Sequence, residues 1–215
     1  MCSSNQAPQR TNWYAPIFAR VYDPFMEKLE ERILLPRRKA LLAPLTGNIL
    51  EVGAGTGINL PLYSPQARVL AIEPSVPMLR QAQERLRNTR VQADIRLLHA
   101  GIGDDFPLPE GGFDAIVCTL VLCTIPEPDA AVQRIKTMLA PQGQLAVLEH
   151  ISARRTRNRF LQKLINPCWK QVAEGCHLTR HTDKRLRQHG FLPEGETYFT
   201  KGLRFYQANG TFAGT

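Results

Sequence analysis

One stretch of this chain, residues 49–57, limits its fold more than any other, because an apolar run ends there in an acid and then in alternating glycines. It reads Ile-Leu-Glu-Val-Gly-Ala-Gly-Thr-Gly. Glycines are needed where a chain turns sharply and lets backbone N–H groups approach a ligand, at φ values that a Cβ would penalise. The pattern therefore predicts a strand that runs into a nucleotide-binding turn.

The glycine spacing limits the ligand. A dinucleotide-binding turn has the pattern G-x-G-x-x-G, whose third glycine would fall at position 58, where this chain has Ile58. Gly53, Gly55 and Gly57 instead form G-x-G-x-G, and Glu51 precedes them. This element resembles the cofactor loop of the class I S-adenosylmethionine-dependent methyltransferases. The resemblance implies that Glu51 faces the cationic amino group of the cofactor's methionine moiety.

A second apolar strand pattern, residues 69–73, also ends in a carboxylate. This acid, Glu73, follows Gly53 by 20 residues, about where a doubly wound fold presents an acid to a ribose diol. In the methyltransferase pattern, Glu73 would accept hydrogen bonds from both ribose hydroxyls. The alternative for either acid is an exposed helix cap.

Strand and helix patterns alternate along the chain, which predicts an α/β fold with a parallel sheet. We expect strands near 48–53, 68–73, 95–99, 113–118, 144–149, 194–200 and 203–208. We expect helices near 57–63, 76–88, 128–139, 154–176 and 181–189, after N-terminal helices broken at Pro16, Pro24 and Pro36.

The resemblance implies a Rossmann-like sheet of seven mostly parallel strands with helices on both faces. Residues 1–45 would form an N-terminal tail and helical cap, and residues 46–215 the methyltransferase domain. A helical lid would be inserted at about 151–180, after the fifth strand. The length of 215 residues suits one such domain.

Ligands in open α/β sheets bind at the carboxyl edge of the strands, so residues that follow the strands are candidates for cofactor contacts. Besides the two acids and the loop glycines, we assign to the cofactor Tyr14, Tyr22, Ala54, Pro74, Met78, Gly101, Ile102, Cys118, Thr119 and Leu120. Family members often carry an acid after the third strand for the adenine amino group, and here Ile102 stands at that position. Backbone groups of residues 101–103 would then reach the base. Met78 fits adenine stacking and a core position equally well.

The cysteines and apolar runs indicate the compartment. Five cysteines, an odd number, include no C-x-x-C pair, and they are Cys2, Cys118, Cys123, Cys168 and Cys176. We expect thiols in a reducing compartment and no metal site, with Cys118 and Cys123 as core residues. No apolar run approaches the roughly 18 residues that span a bilayer, so we expect a soluble, cytoplasmic protein.

The net charge of +8 is concentrated in residues 151–190, which hold ten basic residues and two acidic ones. Such a segment is typical of a solvated helix face, a membrane surface, a nucleic-acid site or an anionic-substrate site. No aromatic residues interleave with the basic ones as in a nucleic-acid platform, so we do not expect a nucleic-acid partner. Peripheral contact with an anionic membrane stays open.

Three further segments resemble the methyltransferase-like seven branch, whose animal members methylate small thiols. They are residues 113–126, residues 148–151 and, most specifically, residues 166–180, which contain Gly-Cys-His-Leu-Thr-Arg. Bacterial relatives of the same outline are often labelled phosphatidylethanolamine or ubiquinone-type methyltransferases. The resemblance therefore implies methyl transfer from S-adenosylmethionine, leaving S-adenosylhomocysteine, to a small thiol or to a lipid amine or quinone.

A thiol acceptor needs little chemical help. With a pKa near 8.5, about a few per cent of a thiol is already thiolate at neutral pH, whereas a protonated amine or an aliphatic hydroxyl needs more assistance. His150, at the exit of the fifth strand, and His177, in the insertion, are the candidate catalytic residues. Each histidine could instead hold the lid in place by a hydrogen bond.

The inserted helix is predicted to be a lid. Its apolar residues fall on one face at helical spacing, which favours burial against the substrate pocket. They are Phe160, Leu161, Leu164, Ile165, Trp169 and Val172. If this face were exposed, the helix would suit a membrane surface, because basic residues flank the apolar ones.

Three hypotheses of function follow. The first is a methyltransferase that acts on a small thiol, and the second is one that acts on a phospholipid amine or a quinone at the membrane. The third is a non-catalytic binding module or an RNA-associated protein. The intact acids and glycines of the cofactor pattern argue against the third.

Overall fold

The structure is a computed structural model that describes residues 30–172 and 175–214, with Ile165 and residues 167–172 described by their backbone only. Seven strands form one sheet in the order β3-β2-β1-β4-β5-β7-β6. The strands are β1 (Gly47–Val52), β2 (Ala67–Ile72), β3 (Asp94–Leu98), β4 (Phe113–Thr119), β5 (Leu139–Ile151), β6 (Phe191–Lys201) and β7 (Leu203–Phe212).

Parallel pairing joins the first five strands, and β7 is antiparallel to both β5 and β6. Strand β1 lies in the interior of the sheet, where Ile49 pairs with Val69 of β2 and with Ala115 of β4. Strands β2 and β3 follow on one side of β1, and β4 and β5 follow on the other side, so the strand order switches between β1 and β4. In open α/β sheets, the carboxyl ends of the strands at such a point form the ligand crevice.

Both faces of the sheet are buried, as a parallel sheet requires. Successive residues of a strand point to opposite faces, and on β1 they enter two separate cores. Leu50 packs in one core with Ile116 of β4, and Ile49 packs in the other with Val117. This explains why β1 and β4 read as continuous apolar runs.

Helices cover the two faces and connect the strands. They are α1 (Leu35–Leu42), α2 (Val76–Asn88), α3 (Pro128–Met138), α4 (Thr156–Val172) and α5 (Thr182–Gln188), with a π-helical turn at Glu30–Leu34 and a 3₁₀ turn at Leu60–Leu62. Within the described residues, no helix is both long and apolar enough to cross a membrane.

Two expectations about the helices were wrong. The helix expected at 57–63 is only the 3₁₀ turn Leu60–Leu62, because Pro61 lacks the N–H that an α-helix needs there. Pro36 does not break a helix but lies in the first turn of α1, where a missing N–H costs nothing. Pro16 and Pro24 lie outside the described residues.

Strand β5 is longer than the strand expected at 144–149, because it begins at Leu139. Phe113 pairs with Leu139, and the next pair is Ala115 with Gln144, so residues 140–143 bulge out of the ladder. Gln142 has a φ of 64° in this bulge.

Candidate cofactor and acceptor site

The loop after β1 is fastened to β2 by its backbone. The N–H groups of Gly53 and Ala54 both donate to the carbonyl oxygen of Ile72, at 2.9 and 3.0 Å. Gly53 has a φ of 69°, and a Cβ there would lie 2.4 Å from a methyl group of Val121. Only glycine fits this position, since both the backbone conformation and the contact exclude a side chain.

Glu73 follows β2 and holds this loop from the other side. Its Oε2 accepts a hydrogen bond from the Gly55 N–H and its Oε1 accepts one from the Ser75 N–H, both at 2.8 Å. Burial raises the pKa of Glu73, and the two N–H donors partly offset that rise. A carboxylate has about four lone-pair sites, so two remain for further donors such as hydroxyls.

Among the described residues, the space beside Gly55 is open. Within this part of the chain, a Cβ at Gly55 would meet only the sulfur of Met78 within 4 Å, at 3.9 Å. The loop after β3 comes close to the end of β2, since a Cβ at Gly101 would lie 3.9 Å from the Pro74 Cβ. Gly55, Glu73, Met78 and Gly101 thus lie near one another at the carboxyl edge of the sheet, and we call the space beside them the crevice around Gly55. That this crevice binds an adenosyl group stays a prediction.

Asp104 is a residue of this crevice that the sequence reasoning missed. Its carboxylate accepts a hydrogen bond from the Gly101 N–H at 2.7 Å and is exposed. Ile102 stands where the family often has an acid, and Asp104 brings a carboxylate back to the same loop from two residues farther on. The missed signal was the adjacent pair of acids at 104 and 105.

Glu51 lies in a buried polar network. It is 1% exposed, and its two oxygens accept hydrogen bonds from Asn59 Nδ2 at 2.8 Å and from the Tyr63 hydroxyl at 3.0 Å. Burial raises the pKa of Glu51 to about 7, although both hydrogen bonds and the charge of Arg38 act in the opposite direction. Its expected contact with the cofactor's amino group stays a prediction.

The same network ties α1 to the end of β4. Arg38 donates through Nη1 to Asn59 Oδ1 at 2.9 Å and to Thr119 Oγ1 at 2.8 Å. Its Nε donates to Glu30 at 2.7 Å. Thr119, which we assigned to the cofactor, thus directs its hydroxyl into this network. No sequence pattern pointed to Arg38, because it stands among basic residues that resemble a solvated face.

A strained residue follows strand β4. Leu120 has a φ of 57° and donates its N–H to the carbonyl oxygen of Leu148 at 2.8 Å. Such a conformation of a non-glycine residue costs of order 1–3 kcal/mol and is found most often at functional sites. Cys118, two residues earlier, packs its side chain in the core with 0% exposure. It can therefore meet a cofactor only through its backbone.

Glu149 of β5 positions the loop after β4. Its Oε1 accepts hydrogen bonds from the N–H groups of Val121 and Leu122 at 2.9 and 2.8 Å. Burial raises its pKa to about 7 against the effect of these two donors. Its Oε2 is buried and has no hydrogen-bond partner within residues 30–172 and 175–214. The sequence reasoning noted Glu149 only as part of a family motif.

Both candidate histidines lie close to this loop. The His150 Nε2 lies 2.8 Å from the Cys176 sulfur, and the Cys176 and Cys123 sulfurs are 3.6 Å apart. Burial lowers the pKa of His150, but its hydrogen bond to Cys176 and the nearby Glu149 raise it by more. The His177 N–H donates to the carbonyl oxygen of Cys123 at 2.9 Å. The sequence did not predict that the two cysteines and His150 meet.

Helix α4 does not bury the apolar face that a lid would require. Phe160 is 70%, Leu161 53% and Leu164 68% exposed. Polar residues hold the opposite face instead: Gln162 accepts from the Ala153 N–H and Asn166 from the Leu178 N–H, both at 2.8 Å. Residues four apart share a helix face, so these two anchors turn the apolar residues outward. The expected burial was wrong for these three residues.

The remaining predicted positions lie outside what the structure describes. Tyr14 and Tyr22 precede the first described residue. The side chains of Ile165, Trp169 and Val172 also fall outside the described part of the chain.

The chain matches a family model and is similar in sequence to several named proteins. Residues 50–147 match the family model described as a methyltransferase domain. Thiol S-methyltransferase TMT1B of Rattus norvegicus is 32% identical over 144 residues, 66% of this chain and 59% of that protein. Human thiol S-methyltransferase TMT1A is 32% identical over 145 residues, 67% of this chain and 59% of that protein.

A bacterial relative is named for a different substrate. Phosphatidylethanolamine N-methyltransferase of Cereibacter sphaeroides is 29% identical over 134 residues, 61% of this chain and 64% of that protein. The chain thus matches 59–64% of the length of these three curated relatives.

Solved structures share the fold. The N-methyltransferase NodS of Bradyrhizobium japonicum WM9, in complex with S-adenosylhomocysteine, has a TM-score of 0.68 at 17% identity and covers 95% of this chain and 100% of its own. The DhpI complex with S-adenosylhomocysteine has a TM-score of 0.62 at 19% identity, with 94% and 95% covered. At these identities the likeness concerns the fold, and it confirms the expected Rossmann-like architecture.

Proposed function

Because this chain carries a methyltransferase domain and has the fold of the class I S-adenosylmethionine-dependent methyltransferases, we propose that it transfers a methyl group from S-adenosylmethionine to a small thiol. The observation that carries this proposal is the crevice around Gly55. There, backbone N–H groups and the Glu73 carboxylate converge at the carboxyl edge of the sheet.

The residues present fit the cofactor. Glu73 keeps acceptor sites for a ribose diol, the space beside Gly55 and Met78 suits an adenosyl group, and Asp104 supplies an acceptor for the adenine amino group. S-adenosylmethionine supplies an electrophilic methyl group when bound. We assign Glu51, which precedes the glycine loop, to the cationic methionine end of the cofactor; a positive charge there would favour the ionised form of this buried carboxyl.

The reaction is a displacement at carbon. A thiol loses its proton to solvent, and the thiolate sulfur forms a bond to the methyl carbon. The bond from this carbon to the sulfonium sulfur breaks, and its electron pair stays on the sulfur of S-adenosylhomocysteine. The protein's task is to hold donor and acceptor in line at near-attack distance.

The acceptor end is formed by the loop after β4, the end of β5 and residues 175–180. His150 and His177 flank Cys123 in this region, and we assign them to the acceptor thiol. The similarity to the two thiol S-methyltransferases supports this acceptor. The Gly-Cys-His-Leu-Thr-Arg element at residues 175–180, which resembles the thiol methyltransferase branch, lies against this loop.

A second candidate is methylation of a phospholipid amine or a quinone at a membrane surface. The exposed apolar residues of α4 favour it, as does the relative from Cereibacter sphaeroides. Residues 154–164 contain five basic residues and no acid, so their charge complements an anionic bilayer. Contact with a membrane is compatible with both acceptors, because a lipophilic thiol also partitions into lipid.

Calorimetry tests the cofactor. We expect the full chain to bind S-adenosylmethionine and S-adenosylhomocysteine and not NAD. Glu73→Ala should weaken binding by about 1.5–3 kcal/mol, because hydrogen bonds to a charged group are lost. That is about 10- to 150-fold in Kd.

Glu84→Ala is the matched control, since Glu84 is an exposed carboxyl on α2, and its Kd should equal that of the wild type. An unchanged Kd in Glu73→Ala would remove Glu73 from the cofactor site. Binding of NAD in place of S-adenosylmethionine would overturn the proposed function.

A further inference from the structure

Three buried side chains with metal-ligating atoms meet at the acceptor end of the site. Cys123, His150 and Cys176 come from three separate segments, and their sulfur and nitrogen atoms all lie within 4.8 Å of one another. We propose that they bind one Zn²⁺ ion whose fourth coordination position receives the acceptor thiolate. The metal site stands on this geometry, and the role of its fourth position rests on the proposed function.

The distances suit a tetrahedral ion after a small adjustment. With Zn–S bonds of about 2.3 Å, two sulfurs of a tetrahedron are about 3.75 Å apart. The Cys123 and Cys176 sulfurs are 3.6 Å apart. The His150 Nε2 lies 2.8 Å from the Cys176 sulfur, and a shared zinc ion would widen this separation to about 3.5 Å.

The donor set selects the metal. Thiolate and imidazole ligands favour Zn²⁺ over the hard cations Mg²⁺ and Ca²⁺, which prefer oxygen. Two cysteines and one histidine form a set known from catalytic zinc sites, in which a fourth position stays open. Within the described residues the cluster has these three members, so a tetrahedral ion there keeps one position for an outside ligand.

The surrounding backbone holds the three ligands in place independently of a metal. Glu149 fixes the two N–H groups that precede Cys123 in the chain. The His177 N–H, next to Cys176, donates to the Cys123 carbonyl oxygen at 2.9 Å. The Ser152 N–H donates to the Arg180 carbonyl oxygen at 2.8 Å, which joins the end of β5 to the segment after α4. Such supporting contacts orient metal ligands and raise affinity.

The ion would act on the acceptor alone. A thiol that coordinates zinc is deprotonated, so the acceptor proton leaves to solvent as the Zn–S bond forms. The coordinated sulfur then forms its bond to the methyl carbon of the cofactor, and the departing sulfur keeps the electron pair. The product thioether is neutral and a weaker ligand, so it leaves the zinc.

Cobalt binding tests the site without reference to activity. The reduced full chain, freed of metal, is titrated with Co²⁺, whose thiolate complexes have charge-transfer absorption and whose tetrahedral complexes have strong visible bands. We expect both features to saturate at one Co²⁺ per chain and to disappear when Zn²⁺ is added. A chain that binds no Co²⁺, or binds it without thiolate absorption, would overturn the proposal.

Ligand variants provide the matched comparison. Cys123→Ala, Cys176→Ala and His150→Gln should each weaken Zn²⁺ binding at least about tenfold, since even the loss of a group that only hydrogen-bonds to a metal ligand costs about 10- to 100-fold. Cys118→Ala removes an equally buried thiol that is not in the cluster, and its Zn²⁺ affinity should match the wild type. Equal losses in Cys118→Ala, or none in the other three, would contradict the assignment.

Two readouts separate this inference from the proposed function. S-adenosylhomocysteine binding should be retained in every ligand variant, which also shows that each one is folded. Addition of a short alkyl thiol to the Co²⁺-loaded chain should intensify the thiolate absorption if the thiol takes the fourth position. If the Co²⁺ spectrum does not change when the thiol is added, the fourth position does not bind the acceptor, and only that role is refuted. If the metal-free chain methylates the thiol at full rate, the metal has no role in the reaction, and the proposed function still holds.

Discussion

At the scale of single residues, the site contains carboxyl groups that the fold keeps out of water. Glu51 is the clearest case, because burial raises its pKa to about 7 in spite of two hydrogen bonds and the charge of Arg38. The protonated form is therefore favoured in the folded protein relative to the unfolded chain. Between the unfolded pKa near 4.5 and the folded value near 7, the folded state binds more protons.

We expect this carboxyl to make stability fall as pH rises. The contribution is fully present below about pH 4.5 and is lost as the pH passes through about 7. Relative to Glu51→Gln, the wild type should lose roughly 3 kcal/mol of unfolding free energy over this window. Urea denaturation from pH 5 to pH 8 measures the difference, with Glu84→Gln as an exposed control. If the difference in unfolding free energy between the wild type and Glu51→Gln did not change with pH, a raised pKa of Glu51 in the folded protein would be contradicted.

Single residues could be predicted from the sequence where the backbone conformation restricts the residue type. Gly53, Gly55 and Gly57 all have positive φ, as the sequence predicted for a sharp turn after β1. Arg38 and Asn59 could not be predicted, because their hydrogen-bond partners in the buried network depend on packing between elements that are distant in sequence.

At the scale of elements, the apolar periodicity predicted the strands and the longer helices. Helices α2 and α3 begin at the expected residues because a proline in the first turn marks each start. The orientation of α4 was predicted incorrectly. Periodicity identifies an apolar face but not the surface that this face contacts, and here Gln162 and Asn166 decide the orientation through hydrogen bonds to backbone N–H groups.

Helix α4 should bind anionic vesicles through its exposed apolar residues. Replacing both Phe160 and Leu164 by serine should reduce cosedimentation with phosphatidylserine vesicles at least about tenfold, since full burial of one such side chain is worth about 1.5–3 kcal/mol. Leu108→Ser, which changes an equally exposed leucine elsewhere, is the control and should bind as the wild type does. High salt should weaken wild-type binding, because it screens the basic residues.

Vesicle binding that is equal in the double variant and the wild type would exclude α4 as the contact. Cofactor affinity should be unchanged in both variants, because none of these residues borders the crevice around Gly55.

At the scale of the whole molecule, the proposed cofactor half and the proposed acceptor half of the site differ in how the sequence encodes them. The cofactor half follows β1 and β2 in short continuous motifs, so the sequence predicts its position and its main residues. The acceptor half is assembled from the loop after β4, the end of β5 and the segment after α4. Cys123, His150 and Cys176 are far apart in the chain, and only the fold brings them together.

This difference also explains why the sequence indicates the methyl donor more clearly than the methyl acceptor. The glycine loop and Glu73 indicate the methyl donor, and the methyltransferase domain match and the shared fold agree with it. The acceptor depends on side chains that no local pattern joins. The resemblance of three segments to thiol methyltransferases, most specifically of residues 166–180, was the sequence signal for it, and two proteins named thiol S-methyltransferases are 32% identical to this chain over the matched residues.

Transfer of a labelled methyl group tests the central claim most directly. The full chain is incubated with S-adenosylmethionine deuterated at its methyl group, together with a short alkyl thiol, hydrogen sulfide and phosphatidylethanolamine vesicles. Mass spectrometry then identifies the labelled product. We predict deuterated thioether or methanethiol, formed in step with S-adenosylhomocysteine and reduced strongly in Glu73→Ala. Label in the lipid amine alone, or no labelled product at all, would contradict thiol methylation.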